Sequence, residues 1–110
     1  VSEGEEALAF QLTAAKIPFE REVRFDEARK YRFDFVIVVS PLSDLRIALE
    51  VEGGAWNGGH KRGAKADTDC EKQNLAMHDG WKMYRFTPAM VDDGRALATV
   101  ERALGRTDGG

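Results

Sequence analysis

The stretch from Arg32 to Gly54, RFDFVIVVSPLSDLRIALEVEGG, decides how this chain is read. It holds two runs rich in β-branched and aromatic residues, Arg32 to Val39 and Arg46 to Glu52, around the turn sequence Ser40-Pro41-Leu42-Ser43-Asp44. That composition between turn formers predicts two adjacent strands. Side chains alternate along a strand, so Phe33, Phe35, Ile37 and Val39 are expected on one face, with Asp34, Val36 and Val38 on the other. In the second strand Ile47, Leu49 and Val51 share a face, and Glu50 and Glu52 share the opposite one. Single acids in otherwise apolar strands must be paired, neutralised or bound to a cation. Here three acids fall on two neighbouring strands, and only Arg32 and Arg46, at the strand beginnings, alternate onto their face. Oxygen-only ligands of this kind suit Mg²⁺ or Mn²⁺. The ordinary alternative leaves Glu50 and Glu52 in solvent on a half-exposed strand. Asp34 within a buried-looking strand, and the glycines after Glu52, weigh against it. Directly opposed residues of an antiparallel hairpin point to the same face. The acids therefore converge only if Asp34 lies opposite Glu50 or Glu52, or if a bulge restores that parity.

Outward from this hairpin, residues 2 to 15 read as a helix, with Leu8, Leu12 and Ala15 on one stripe and a capping box from Ser2 to Glu5. Pro18 ends it. Phe19 to Phe25 alternates as a strand, and Asp26 to Tyr31 is a polar connection. A glycine-rich loop is expected from Gly53 to about Lys65, then a helix from Asp67 to about His78, stopped by Gly80. Trp81 to Phe86 is the last strand, and a helix from about Ala89 to Leu104 closes the chain, with Leu97, Val100 and Leu104 inward. The order α-β-β-β-α-β-α predicts an antiparallel meander whose last strand runs parallel to a neighbour after a helical crossover. One α/β domain over 1–110 is expected, its core at about 3–104 and 105–110 frayed.

With 110 residues, 43% hydrophobic and 32% charged, the chain has the composition of an ordinary globular domain. No apolar run approaches the roughly 20 residues that span a bilayer. The opening Val-Ser-Glu-Gly-Glu-Glu lacks a signal-peptide pattern, so a cytoplasmic protein without membrane partners is expected. A lone Cys70 allows no internal disulfide, and with only His60 and His78 beside it no zinc finger. Cys70 is read as a small core residue, and His78 as a favourable charge near a helix end. The net charge of −3 hides a segregation. Residues Arg21, Arg24, Arg29, Lys30 and Arg32 outnumber the acids among them, and His60, Lys61, Arg62 and Lys65 share an acid-free stretch. Acids inside basic margins suit a cation-using enzyme of phosphodiesters.

The pattern Asp…Glu-x-(Lys or Glu) on adjacent strands resembles the PD-(D/E)XK nuclease superfamily. The longer run RFDF…IALEVEGGAW…H…DCEK…GWKMYRFTP resembles the small phage and prophage endonucleases related to the very-short-patch-repair type. The resemblance covers roughly residues 3 to 104. It implies a restriction-endonuclease-like core, a mixed central sheet flanked by helices, and metal-dependent DNA cleavage in phage recombination, replication or repair. It implies that Asp34, Glu50 and the backbone carbonyl of Val51 hold Mg²⁺ or Mn²⁺. Glu52 stands where most members carry Lys, so it becomes a ligand or base, and Lys72 becomes the candidate replacement cation. The alternative for Lys72 is surface pairing with Asp69 or an i−4 neighbour. An acid of the first helix, Glu5 or Glu6, joins the site in several members; helix-start acids are also favoured by the dipole alone. His60, Lys61, Arg62 and Lys65, with Trp56 stacking on a base, would contact DNA, although a Trp packed under its own loop is the commoner arrangement. A homodimer is compatible with the pattern. The missing motif lysine keeps open a catalytically inactive DNA-binding module, and substrates from mismatched or nicked duplex to branched junctions or single-stranded ends fit equally.

Overall fold

The computed structural model describes residues 2–53 and 62–106, and of residues 62–65 only the backbone. It is an α/β structure in which a four-stranded mixed sheet is flanked by helices. In chain order the elements are α1 (Glu3–Ala14), β1 (Phe19–Asp26), β2 (Tyr31–Ile37), β3 (Ile47–Val51), α2 (Arg62–His78), β4 (Lys82–Phe86), α3 (Pro88–Asp92) and α4 (Arg95–Ala103). The strands lie in the order β1-β2-β3-β4, antiparallel except for the parallel pair β3 and β4. Among the described residues no helix is long and apolar enough to cross a membrane.

Helix α1 begins where Ser2 Oγ accepts the Glu5 N–H, satisfying one of the free donors of its first turn. Its stripe of Leu8 and Leu12 is fully buried against Leu49, Val51 and Phe35 of the sheet and Val91, Ala96 and Val100 of α3 and α4. Gly4 sits where α1 touches the sheet: a Cβ there would lie 3.0 Å from Val51 Cγ1. The close approach brings the first turn of α1, with Glu5, beside the strands.

The other face of the sheet carries a smaller core of Phe33, Ala48 and Ala76, joined by Phe25, Val36, Trp81 and Met83. Phe33 therefore does not share a face with Phe35 and Ile37, as strict alternation predicts. The pairs Arg21↔Phe35 and Val23↔Phe33 keep one register, but Glu22 between them has φ 53°. A left-handed residue inside a strand turns the chain over, and Asp34, across from it, is the point at which β2 changes face. Such a conformation costs a non-glycine residue about 1–2 kcal/mol. Stacking of Phe25 on Phe33 (centroids 4.0 Å apart) and the edge of Trp81 against Phe33 (4.9 Å) hold the flipped arrangement.

Three further expectations are corrected. Helix α2 starts at Arg62, so Arg62 and Lys65 lie on a helix and not on the glycine loop. The closing helix is two: α3, capped by Thr87 Oγ1 on Met90 N–H, ends before Gly94, whose φ of 89° breaks the helical path. Cys70 is exposed on α2 and contributes nothing to a core. The end of the chain is tied down as far as Arg106, whose guanidinium donates to the Ala15 carbonyl; residues 107–110 lie outside the described residues.

Gly4→Val tests the α1–sheet contact. It replaces glycine by a better helix former, yet the added atoms meet Val51. A net loss of about 1–3 kcal/mol, the usual cost of overpacking, is expected in denaturant melts. A gain would mean that α1 does not rest on β3 as described.

Candidate active site

The β2–β3 ladder runs Ile37↔Ile47, Val36↔Ala48, Phe35↔Leu49. One step further it sets Asp34 opposite Glu50, the parity that lets both acids meet. There the backbone ladder gives way to side chains. The Asp34 N–H donates to Glu50 Oε2 (2.9 Å), and the Val51 N–H donates to Asp34 Oδ2 (2.8 Å). Each carboxylate thus satisfies a backbone donor of the opposite strand, which fixes both rotamers without any ion. Glu50 is only 9% exposed.

Lys72 reaches in from α2. Its Nζ donates to Glu50 Oε1 at 2.8 Å, the two side chains 14% and 12% exposed, and lies 5.9 Å from the Phe33 ring centroid. Described geometry thus places Lys72 against Glu50. Glu52 goes elsewhere: its N–H donates to the Phe86 carbonyl, and its carboxylate accepts from Arg85 Nη1 at 2.9 Å. Arg85 stands level with Glu50 in the parallel ladder to β4. The acids, for which the sequence offered only Arg32 and Arg46 on the same face, therefore receive two other cations, one from a helix and one from the fourth strand. Arg85 is a residue that sequence reasoning missed.

On its other side Asp34 meets two more acids. One carboxylate oxygen each from Glu5, Glu22 and Asp34 lie within 4.8 Å of one another. Of the two helix acids singled out in the sequence, Glu5 joins this group, while Glu6 turns to Arg21 at 3.0 Å. Glu22 was not among the site residues expected from the sequence. Its place level with Asp34 in the β1–β2 register was the only signal for it, and that register is a tertiary fact.

The electrostatics follow from burial. Loss of water raises the pKa of Asp34 above the ordinary carboxylate value, opposed by the Val51 N–H and by Lys72 and reinforced by Glu22 and Glu52. Glu50 is raised first by burial and also by Asp34, against the hydrogen bond from Lys72. Glu5 is raised by burial, then by Asp34 and Glu22. Its Oε1 is buried without a hydrogen-bond donor, with Arg21 Nη2 3.7 Å away. Mutually repelling carboxylates, two half-buried and one exposed, with the orphaned Glu5 acceptor among them, are a donor set that fits a hard divalent cation. Asp34, Glu5 and Glu22 are the residues whose carboxylates lie close enough to hold it, with Glu50 beside Asp34 on the neighbouring strand and held by Lys72. The Val51 main chain touches the site through its N–H to Asp34. Trp56, His60 and Lys61 lie outside the described residues, as do the side chains of Arg62 and Lys65.

A carboxylate whose folded pKa is raised favours the folded state only while protonated. Its contribution is present below the unfolded pKa and lost as pH rises through the higher folded one. Without divalent ions, Asp34→Asn should therefore melt higher than the parent chain at neutral pH, since the amide keeps an acceptor for the Val51 N–H. The gain should vanish below about pH 4, where the parent carboxyl is itself protonated. Thermal melts in EDTA across that range check this; a lower neutral-pH Tm for the variant would contradict the assigned electrostatics.

Comparison of the chain with protein-family models, with curated proteins and with solved structures gave no match.

Proposed function

We propose that this protein is a metal-dependent DNA endonuclease of restriction-endonuclease-like fold, hydrolysing phosphodiester bonds at Asp34 and Glu50. The observation that carries the proposal is the ladder end itself. A buried and a half-buried carboxylate meet across adjacent strands, locked by backbone donors, with an ammonium group 2.8 Å from the buried one. Asp34 and Glu50 would hold Mg²⁺ or Mn²⁺, with the neighbouring Glu5 and Glu22 as further oxygen donors. When bound, such a cation supplies Lewis-acid polarisation of a phosphoryl oxygen and charge neutralisation.

The residues of the chain supply the rest. Lys72, 2.8 Å from Glu50, would replace the motif lysine, whose position 52 is Glu here. Released from Glu50 by a competing positive charge, its Nζ would donate to a non-bridging phosphate oxygen and offset charge developing there. Glu52, held by Arg85, would orient the attacking water or accept its proton. The semi-buried setting strengthens each of these charge contacts relative to water. The substrate class proposed is structured or damaged DNA, with recombination, replication or repair as the setting.

The two ion pairs, Lys72 with Glu50 and Arg85 with Glu52, favour a second reading. A site that neutralises its own carboxylates also suits a DNA-binding module without catalysis. A cleavage panel of plasmid, flap, junction and mismatch substrates with Mg²⁺ or Mn²⁺ separates the two. Under the endonuclease proposal EDTA stops cleavage, and Asp34→Asn and Glu50→Gln abolish it. Lys72→Ala lowers the rate about 10²–10³-fold, the usual cost of losing one charge-stabilising donor, with partial recovery in Lys72→Arg. Near-parental cutting by purified Asp34→Asn would sink the proposal.

A further inference from the structure

The hairpin of β1 and β2 carries a pair of arginines that the free protein does not balance well. Arg24 and Arg32 are directly opposed across the two strands. Like charges in that position repel, and natural hairpins usually avoid them. Both side chains are exposed, at 37% and 51%. Their acidic partners are weak ones. Glu27 lies 3.4 Å from Arg24 but is 83% exposed on the turn, and Glu22 lies 3.7 Å from Arg32, too far for a hydrogen bond. Elsewhere on the hairpin, Arg29 is committed to Asp26, and the Tyr31 hydroxyl donates to Glu71. These contacts pin the turn to α2 and leave the arginine pair as the exchangeable charge.

Phe25 and Phe33 point into the smaller core, so by alternation Arg24 and Arg32 project from the opposite face of the hairpin. That is the side of the acid cluster. Glu22, the partner of Arg32, has its carboxylate within 4.8 Å of that of Asp34. Arg32 stands one carboxylate away from the candidate reaction centre, and Arg24 is opposed to it on the neighbouring strand, so the two guanidinium groups suit an anion with several oxygens.

From this juxtaposition we infer that Arg24 and Arg32 form a clamp for the DNA backbone, gripping a phosphate next to the one that is cut. The inference rests on the endonuclease proposal and adds to it a surface on β1 and β2, separate from the glycine-rich stretch after Glu52. A phosphate between the arginines relieves their repulsion, so the charge conflict of the free protein becomes attraction in the complex. Contacts of this kind position the duplex and read no sequence.

The test is fluorescence anisotropy of a short labelled duplex in EDTA, over about 50 to 200 mM salt, for the parent chain, Arg24→Gln and the Arg24→Gln/Arg32→Gln double variant. Each lost phosphate contact should flatten the log–log salt slope by about 0.9, so by about 1.8 for the double variant. At low salt Arg24→Gln should melt no lower than the parent chain, because its repulsion with Arg32 is gone. An unchanged slope in variants of a chain that binds and cuts DNA overturns the clamp and leaves the endonuclease proposal standing. A fall in Tm for Arg24→Gln shows that the pair stabilises the free fold, and also overturns it. A parent chain that neither binds nor cuts DNA takes down both.

Discussion

Where the β2–β3 ladder runs out, Asp34 and Glu50 trade hydrogen bonds with each other's strands, and the remaining features of the site are arranged around that exchange. A strand end normally leaves N–H and C=O groups to water or a cap. Here two carboxylates take the place of the next rungs, and so are drawn into the low-dielectric end of the sheet. Burial raises the pKa of both acids, and a buried charge demands compensation. Lys72 meets that demand for Glu50, and Arg85 pairs with the more exposed Glu52. For Asp34 the neighbouring carboxylates of Glu5 and Glu22 make the demand larger.

The surrounding fold is shaped to keep this arrangement. Gly4 lets α1 rest on Val51, the residue whose N–H holds Asp34, and thereby sets Glu5 beside the acids. Glu22 adopts a left-handed backbone within β1, and β2 changes face at Asp34. At Glu22 a left-handed backbone and charge repulsion coincide, whereas the other left-handed residues, Lys16 and Lys30, lie outside the acid cluster. Natural structures tolerate such conflict where a ligand relieves it. Helix α2 shows the same logic. From Ala66 to His78 only Ala76 is fully buried, so Lys72 on Glu50 and the Tyr31 contact to Glu71 do much of the positioning.

Much of this was legible in the sequence where a local rule applied. Period-two alternation marked β1 to β3, the Ser2–Glu5 pattern marked the start of α1, and the single acids in apolar strands marked Asp34 and Glu50. Local rules failed where one residue departs from them for a non-local reason. Alternation assigned Phe33 to the face of Phe35, but Glu22 on a different strand imposes the reversal. The closing helix was expected to run on through Gly94, but its φ of 89° divides α3 from α4. The early start of α2 was hidden by glycine, a weak helix former that was read as loop.

The sequence by itself determined the residue types of the site, since an Asp in a Phe-rich strand and a Glu before Val-Glu-Gly-Gly must answer for their burial whatever the fold. It also determined that no cysteine pair could staple the chain, because only Cys70 is present. Tertiary structure alone decided which charges meet. Lys72 and Glu50 are 22 residues apart, Arg85 and Glu52 are 33 apart, and Glu5 reaches Asp34 only through the packing of α1 on Val51. Coulombic partners are selected by distance in space, and that distance is set by strand register and helix packing, which no local spacing encodes.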